Sequence, residues 1–249
     1  MATVLASCSL WPDGEFPPGG ADRIDERPEY LMWWKLVESC AHVRRKMDVE
    51  WYSTNGRLID YGDVVASGIY RPWPDRIALV DPKNGPVARH EMLHALLQED
   101  GHPLDRFAGD CDGFVNFSPP DAYGISAKEM AEAATVRADS ALTVSVTTYP
   151  EHPSLTEFGG KFVFVITATN RTGRSVWAAT QTRTVYAQYR DGGSFRYQSE
   201  LLPFSNVFFR PGQSRLVIVD AAVFATGTFD VVAGYGRAQS ISKKLIMQP

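Results

Sequence analysis

His90-Glu91-Met92-Leu93-His94 is the stretch whose residue types and spacing can do chemistry. Residues four apart on an α-helix lie on one face, so both imidazoles can reach one metal ion. The Zn–N distance they would span is about 2.0–2.1 Å. A glutamate directly after the first ligand stands beside the metal's open position. There it can take a proton from water and pass it to a leaving amine. Zinc assists by lowering the pKa of a coordinated water to about 7. The motif therefore predicts a Zn²⁺ centre with His90 and His94 as ligands and Glu91 as general base.

These three residues need a helix, and the flanking sequence supplies one. Val87 to about Glu99 reads as helical, with Pro86 in the first turn and Leu93, Leu96 and Leu97 at apolar positions. Asp100-Gly101 predicts its end, with Gly101 as C-cap and Pro103 just beyond. A strand, Arg76 to Val80, directly precedes it. Upstream, Trp33, Leu36, Cys40, Val43 and Met47 make one apolar stripe, which predicts a helix over 30–47. Arg44, Arg45 and Lys46 then read as its solvated end. Residues 49–52 suit a strand, and Asn55-Gly56 predicts a hairpin turn after it. Downstream, 104–125 is irregular, and Ser126 caps a helix over 127–136 with Glu129 completing a capping box. From Ala141 the apolar pattern switches to period two, as in Leu142–Thr147 and Phe162–Thr169. About seven short strands separated by turn signals predict an immunoglobulin-like β-sandwich. The expected organisation is a tether over 1–29, an α+β domain over 30–136 and an all-β domain over 141–249. Asn170-Arg171-Thr172 matches a glycosylation sequon and is read as a turn.

The order of strand and then His-Glu-x-x-His helix resembles the zincin metallopeptidases. The string Arg89 to Leu97, followed by Gly101-His102-Pro103, Phe107 and Cys111, is similar to bacterial lipoproteins with a zincin-type domain. The resemblance covers roughly residues 30–136. It implies a zinc metallopeptidase acting on a peptide or protein substrate, with three protein ligands and one open coordination position. Three sources of the third ligand stay open. His102 is preferred: Gly101 lets the chain turn after the helix and return the imidazole to the metal. His102 departs from the metzincin pattern, being separated from His94 by seven residues rather than five. Glu129 or Glu132, on the next helix, would follow the gluzincin arrangement. Asp100 stands at the metzincin interval from His94, but Leu97 occupies the position where that pattern needs glycine. No metzincin Met-turn is seen. Tyr123 is a candidate oxyanion stabiliser. The alternative reading is a surface binding protein in which the zinc is structural or the zincin domain is degenerate.

Three cysteines remain to be placed. Leu5-Ala6-Ser7-Cys8 resembles a lipobox with a shortened start, and the Pro- and Gly-rich stretch Ser9–Glu29 reads as a tether behind a lipidated Cys8. Cys40 and Cys111 then pair in an oxidising compartment. Closing that loop of about 70 residues contributes on the order of 4 kcal/mol. The expected location is the bacterial cell envelope or outside the cell, as a monomer. With 25 basic and 29 acidic residues, the charge of −4 gives no electrostatic case for nucleic acid. His42 and His152 are read as surface residues.

Overall fold

The computed structural model describes residues 16–60, 65–115, 125–178, 184–191, 194–201 and 208–249. Cys8 and Tyr123 lie outside them. The chain is mixed α/β, with few helices and several small sheets. It divides into two compact units, 1–117 and 118–249.

The first unit contains β1 (Asp22–Ile24), α1 (Pro28–Ala41), β2 (Glu50–Ser53), β3 (Ile59–Asp60), β4 (Val65–Ala66), β5 (Gly68–Arg71), β6 (Arg76–Leu79) and α2 (Gly85–Leu97). Its main sheet has the order β1-β2-β6-β5. β2 runs parallel to β6, whereas β1 and β5 are antiparallel to their neighbours. β3 and β4 form a separate ribbon. The core is aromatic and aliphatic: Tyr30, Trp34, Trp51, Ile77, Leu79, Met92, Leu93 and Phe107 are all buried. Each such side chain contributes about 1.5–3 kcal/mol on burial. α2 packs against α1, β5 and β6, so Val87 to Leu96 are buried all round. Arg89, His90, Glu91 and His94 are thereby carried inside with the apolar residues.

Three local readings change here, the first being that part of the expected tether over 1–29, β1, pairs with β2 and edges the main sheet. Asn55 and Gly56 both take positive φ, as the turn signal requires, yet no hairpin follows. The backbone N–H groups of Thr54 and Gly56 donate to Leu79 and Val80, so the chain continues along β6. α1 stops at Ala41, where His42 takes a left-handed C-cap, short of the expected residue 47. Arg45 is consequently not a solvated helix end.

The second unit holds α3 (Ala127–Ala133), α4 (Ala138–Ala141), β7 (Leu142–Tyr149), β8 (Lys161–Asn170), β9 (Val176–Trp177), β10 (Thr184–Asp191), β11 (Ser194–Leu201), β12 (Phe208–Phe209), β13 (Ser214–Ala222), β14 (Gly227–Tyr235), β15 (Ala238–Gln239) and β16 (Lys243–Met247). One antiparallel sheet has the order β13-β8-β7; in the other, β11-β10-β14, both β15 and β16 pair with β14. β9 and β12 make a short ribbon. One apolar core joins residues of both sheets, including Val144, Phe162, Phe164, Ile166 and Val219 from one and Phe229, Val231, Tyr235 and Leu245 from the other. The alternation read in 142–147 is the burial pattern of β7. Ser126 accepts the Glu129 backbone N–H at 3.1 Å, completing the expected cap. α3 belongs to this second unit, where it packs beside β9, so the division falls some 20 residues earlier than the expected 137–141.

Candidate metal centre

Asn84 starts α2: its side chain accepts the Val87 backbone N–H at 3.3 Å, and Pro86 lies in the first turn. The helical repeat then turns His90 and His94 to one side. His102 joins them from the segment after the helix. The Nε2 atoms of His90 and His94 are 3.2 Å apart, and those of His90 and His102 are 3.0 Å apart. The ligand atoms of all three lie within 4.8 Å of one another. Three nitrogens bound tetrahedrally at about 2.0–2.1 Å would sit about 3.3–3.4 Å apart, so the two short pairs come close to the spacing that one metal ion requires.

The donor chemistry fits as well. Burial lowers the pKa of His94 to about 3, with His102 adding to the effect. Burial likewise lowers His102 to about 4. Both rings are therefore neutral at pH 7, the state a metal ligand needs. His94 Nδ1 donates to the Glu99 carbonyl at 2.7 Å, which fixes the tautomer that leaves Nε2 as the ligand atom. His90 and His94 are buried and His102 is half-buried. Phe107, fully buried, places its ring 4.8–5.0 Å from all three imidazoles and gives the cluster an apolar floor.

Glu91 projects toward β5. The backbone N–H of Tyr70 donates to its carboxyl, while Oε2 is buried without a hydrogen-bond partner among the described residues. Desolvation raises its pKa to about 8, only partly offset by that hydrogen bond. Space for the side chain is reserved by Gly68, where a Cβ would stand 2.7 Å from Val87 Cγ1 and 2.8 Å from Glu91 Oε1. Sequence reasoning missed Gly68, because its role arises only when β5 meets α2.

The helix ends differently from expectation. Its C-cap is Gln98, with φ 58°, and Gly101 takes no positive φ. The Gln98 amide stabilises this turn: Nε2 lies 2.7 Å from the Ala95 carbonyl, 2.8 Å from Tyr70 Oη and 2.9 Å from Asp75 Oδ1. Tyr70 Oη in turn donates to Asp75 at 2.8 Å. Its pKa is raised by burial and then by Asp75, so it remains a donor. Arg45 closes the group, 2.9 Å from Asp75 Oδ2 and 2.8 Å from the Ala95 carbonyl.

The segment carrying His102 is held on two sides. A disulfide joins Cys40 of α1 to Cys111, with S–S 2.03 Å and Cα–Cα 5.0 Å. Arg89, buried beside His90, donates to the Phe114 carbonyl at 2.5 Å. Between His102 and Cys111 the chain makes a π-helical turn, Arg106–Asp110, which carries Phe107.

Of the residues considered for the third ligand, the structure brings His102 to the histidine pair. Asp100 is exposed. Glu129 and Glu132 lie on α3 in the second unit, where they form ion pairs with Arg210 at 3.8 Å and Lys128 at 3.9 Å. His42 and His152 are exposed, as expected.

No family model matches the chain, and no curated protein does. Among solved structures, a β-glucosidase from Listeria innocua is similar at 14% identity and TM-score 0.29, covering 43% of this chain and 16% of that one. The alkylpurine DNA glycosylase AlkC of Pseudomonas fluorescens is similar at 11% identity and TM-score 0.31, covering 47% of this chain and 32% of that one. A CARDB domain from Pyrococcus furiosus is similar at 9% identity and TM-score 0.27, covering 43% of this chain and 86% of that one. The chain thus spans about one sixth of the length of the glucosidase. Likenesses this slight define neither its family nor its chemistry.

Proposed function

We propose that the first unit is a zinc-dependent peptidase of zincin type and that His90, His94 and His102 hold its metal. The observation that carries this reading is the convergence of three imidazole nitrogens, 3.0–3.2 Å apart in two of the pairs, beside a helix that also presents a buried carboxyl. Zinc bound there supplies a Lewis acid that acidifies water and polarises a carbonyl oxygen. Glu91 Oε2 accepts the proton of the attacking water and returns it to the departing amine. Tyr70 N–H holds the carboxyl in place meanwhile. A carboxyl whose pKa lies near the working pH serves both steps, since it can take and release a proton. Phe107 keeps bulk water from the far side of the imidazoles.

The buried disulfide supports an oxidising compartment, and with it the cell envelope or exterior. Two antiparallel sheets around one core support an immunoglobulin-like sandwich with a binding or spacing role for the second unit. Metal analysis with cleavage of an unfolded protein substrate tests the proposal. One zinc per chain is expected. Glu91→Ala is expected to keep that zinc and lose about 10²–10⁴-fold in rate, the usual contribution of a general base. Undiminished cleavage by Glu91→Ala would overturn the assignment. A zinc-loaded wild type that cleaves nothing would point instead to a structural metal.

A further inference from the structure

We propose that Gln98, which touches no metal, is the positioning residue that sets the ligand tautomer of His94. The inference rests on the metal-centre reading above. His94 can present Nε2 to an ion only if its proton stays on Nδ1. That proton is held by the Glu99 carbonyl at 2.7 Å, one peptide unit beyond Gln98. The carbonyl turns back to the helix because Gln98 is left-handed, with φ 58° and ψ 35°. A non-glycine residue adopts this conformation at a cost and needs outside support. The side-chain amide supplies that support through Ala95, Tyr70 and Asp75.

The surrounding groups hold the amide's acceptors in place. Asp75 is buried and bound by both Tyr70 Oη and Arg45. Arg45 also donates to the Ala95 carbonyl, and its own carbonyl accepts Trp34 Nε1 at 2.8 Å. The Tyr70 ring lies parallel to His94, 6.3 Å between centroids. One strand residue thereby backs the imidazole while its hydroxyl accepts from the amide that places the Glu99 carbonyl. Outer partners that orient a metal-bound histidine typically change metal affinity 10–100-fold when lost.

The decisive variant is Gln98→Ala, because alanine keeps the cost of the left-handed turn and loses the amide, whereas glycine enters that region without strain. Zinc affinity is measured by competition with a chromophoric chelator, and the His94 tautomer by ¹⁵N NMR of the metal-free full chain. Gln98→Ala is expected to bind Zn²⁺ 10–100-fold more weakly than wild type, and Gln98→Gly to recover most of that loss. In Gln98→Ala the metal-free His94 should gain Nε2–H tautomer. Wild-type affinity and an unchanged tautomer in Gln98→Ala would overturn the proposal, since the turn would then hold without the amide. A wild type that binds no zinc sinks the metal-centre reading, whereas the metal-free tautomer still judges Gln98.

Discussion

Asn170 and Glu91 are buried polar side chains, one in each unit, and their surroundings are opposite. Asn170 is saturated: its amide nitrogen lies 2.7–3.3 Å from the carbonyls of Arg174, Phe209 and Arg210, and its oxygen accepts from Thr172 N and Oγ1. Those bonds shape the turn after β8, so the sequon residues do structural work. Glu91 has one backbone partner and one buried oxygen without a hydrogen-bond partner among the described residues. Burial without full satisfaction costs stability, and a fold keeps such a group where the group is used. The second unit buries polarity to define a turn. The first also leaves a carboxyl oxygen buried without a hydrogen-bond partner among the described residues, on the helix that carries two of the three histidines.

Four experiments bear on that contrast. The largest effect is expected from Cys111→Ser, which opens a link spanning 71 residues. A loss of about 4 kcal/mol, read by denaturant unfolding of the first unit, follows from chain entropy. Zinc binding should weaken with it, because the freed segment delivers His102 and Phe107; unchanged affinity would remove the disulfide from the account of the site. Asn170→Ala comes next. Losing its amide bonds, although the Arg174 and Arg210 carbonyls keep Thr172 Oγ1 and Gln213 N as donors, should lower stability by about 2–3 kcal/mol without changing zinc affinity. A change in zinc affinity would erase the proposed separation of roles.

Gly68→Ala should cost about 1–3 kcal/mol by crowding Val87 and Glu91. It should slow cleavage and leave zinc bound; full activity would show that Glu91 has room to spare. The last test is one of shape with pH, in protein freed of metal by chelation. His94 and His102 fold with lowered pKa values, so their contribution is lost as pH falls from 6.5 toward about 4 and 3. Glu91 folds with a raised value, so its burial costs stability as pH rises from 4.5 to about 8. Two histidines outweigh one carboxyl below pH 6.5, and Glu91 acts alone above it. Among these three groups, stability should peak near pH 6.5 and fall toward 8. Glu91→Gln should replace the fall with a plateau, as thermal melts across that range would reveal.

Much of the site was legible in the sequence because its signals are local. His90, Glu91 and His94 sit on one helix, and His102 follows within a short connection. Period-two runs exposed the strands of the second unit, and Ser126 with Glu129 marked a cap. What escaped was set by distant contacts. Gly101 is the obvious terminator, yet Gln98 makes the turn because Tyr70 and Asp75 meet its amide. Arg45 looked like a solvated charge until the chain brought it to Asp75. Asn55-Gly56 forms its turn, but parallel pairing of β2 with β6 decides where the chain goes next. Gly68 carries no local signature at all.

The π-helical turn Arg106–Asp110 has a consequence for how this protein can vary. It is fixed at one end by His102 in the metal cluster and at the other by the Cys111 disulfide. Removing or adding a single residue between those anchors turns Phe107 away from the imidazoles it supports. Most surface connections drift freely in length over evolutionary time. This one is a ruler: relatives that keep the three histidines and both cysteines should also keep the interval from His102 to Cys111 unchanged.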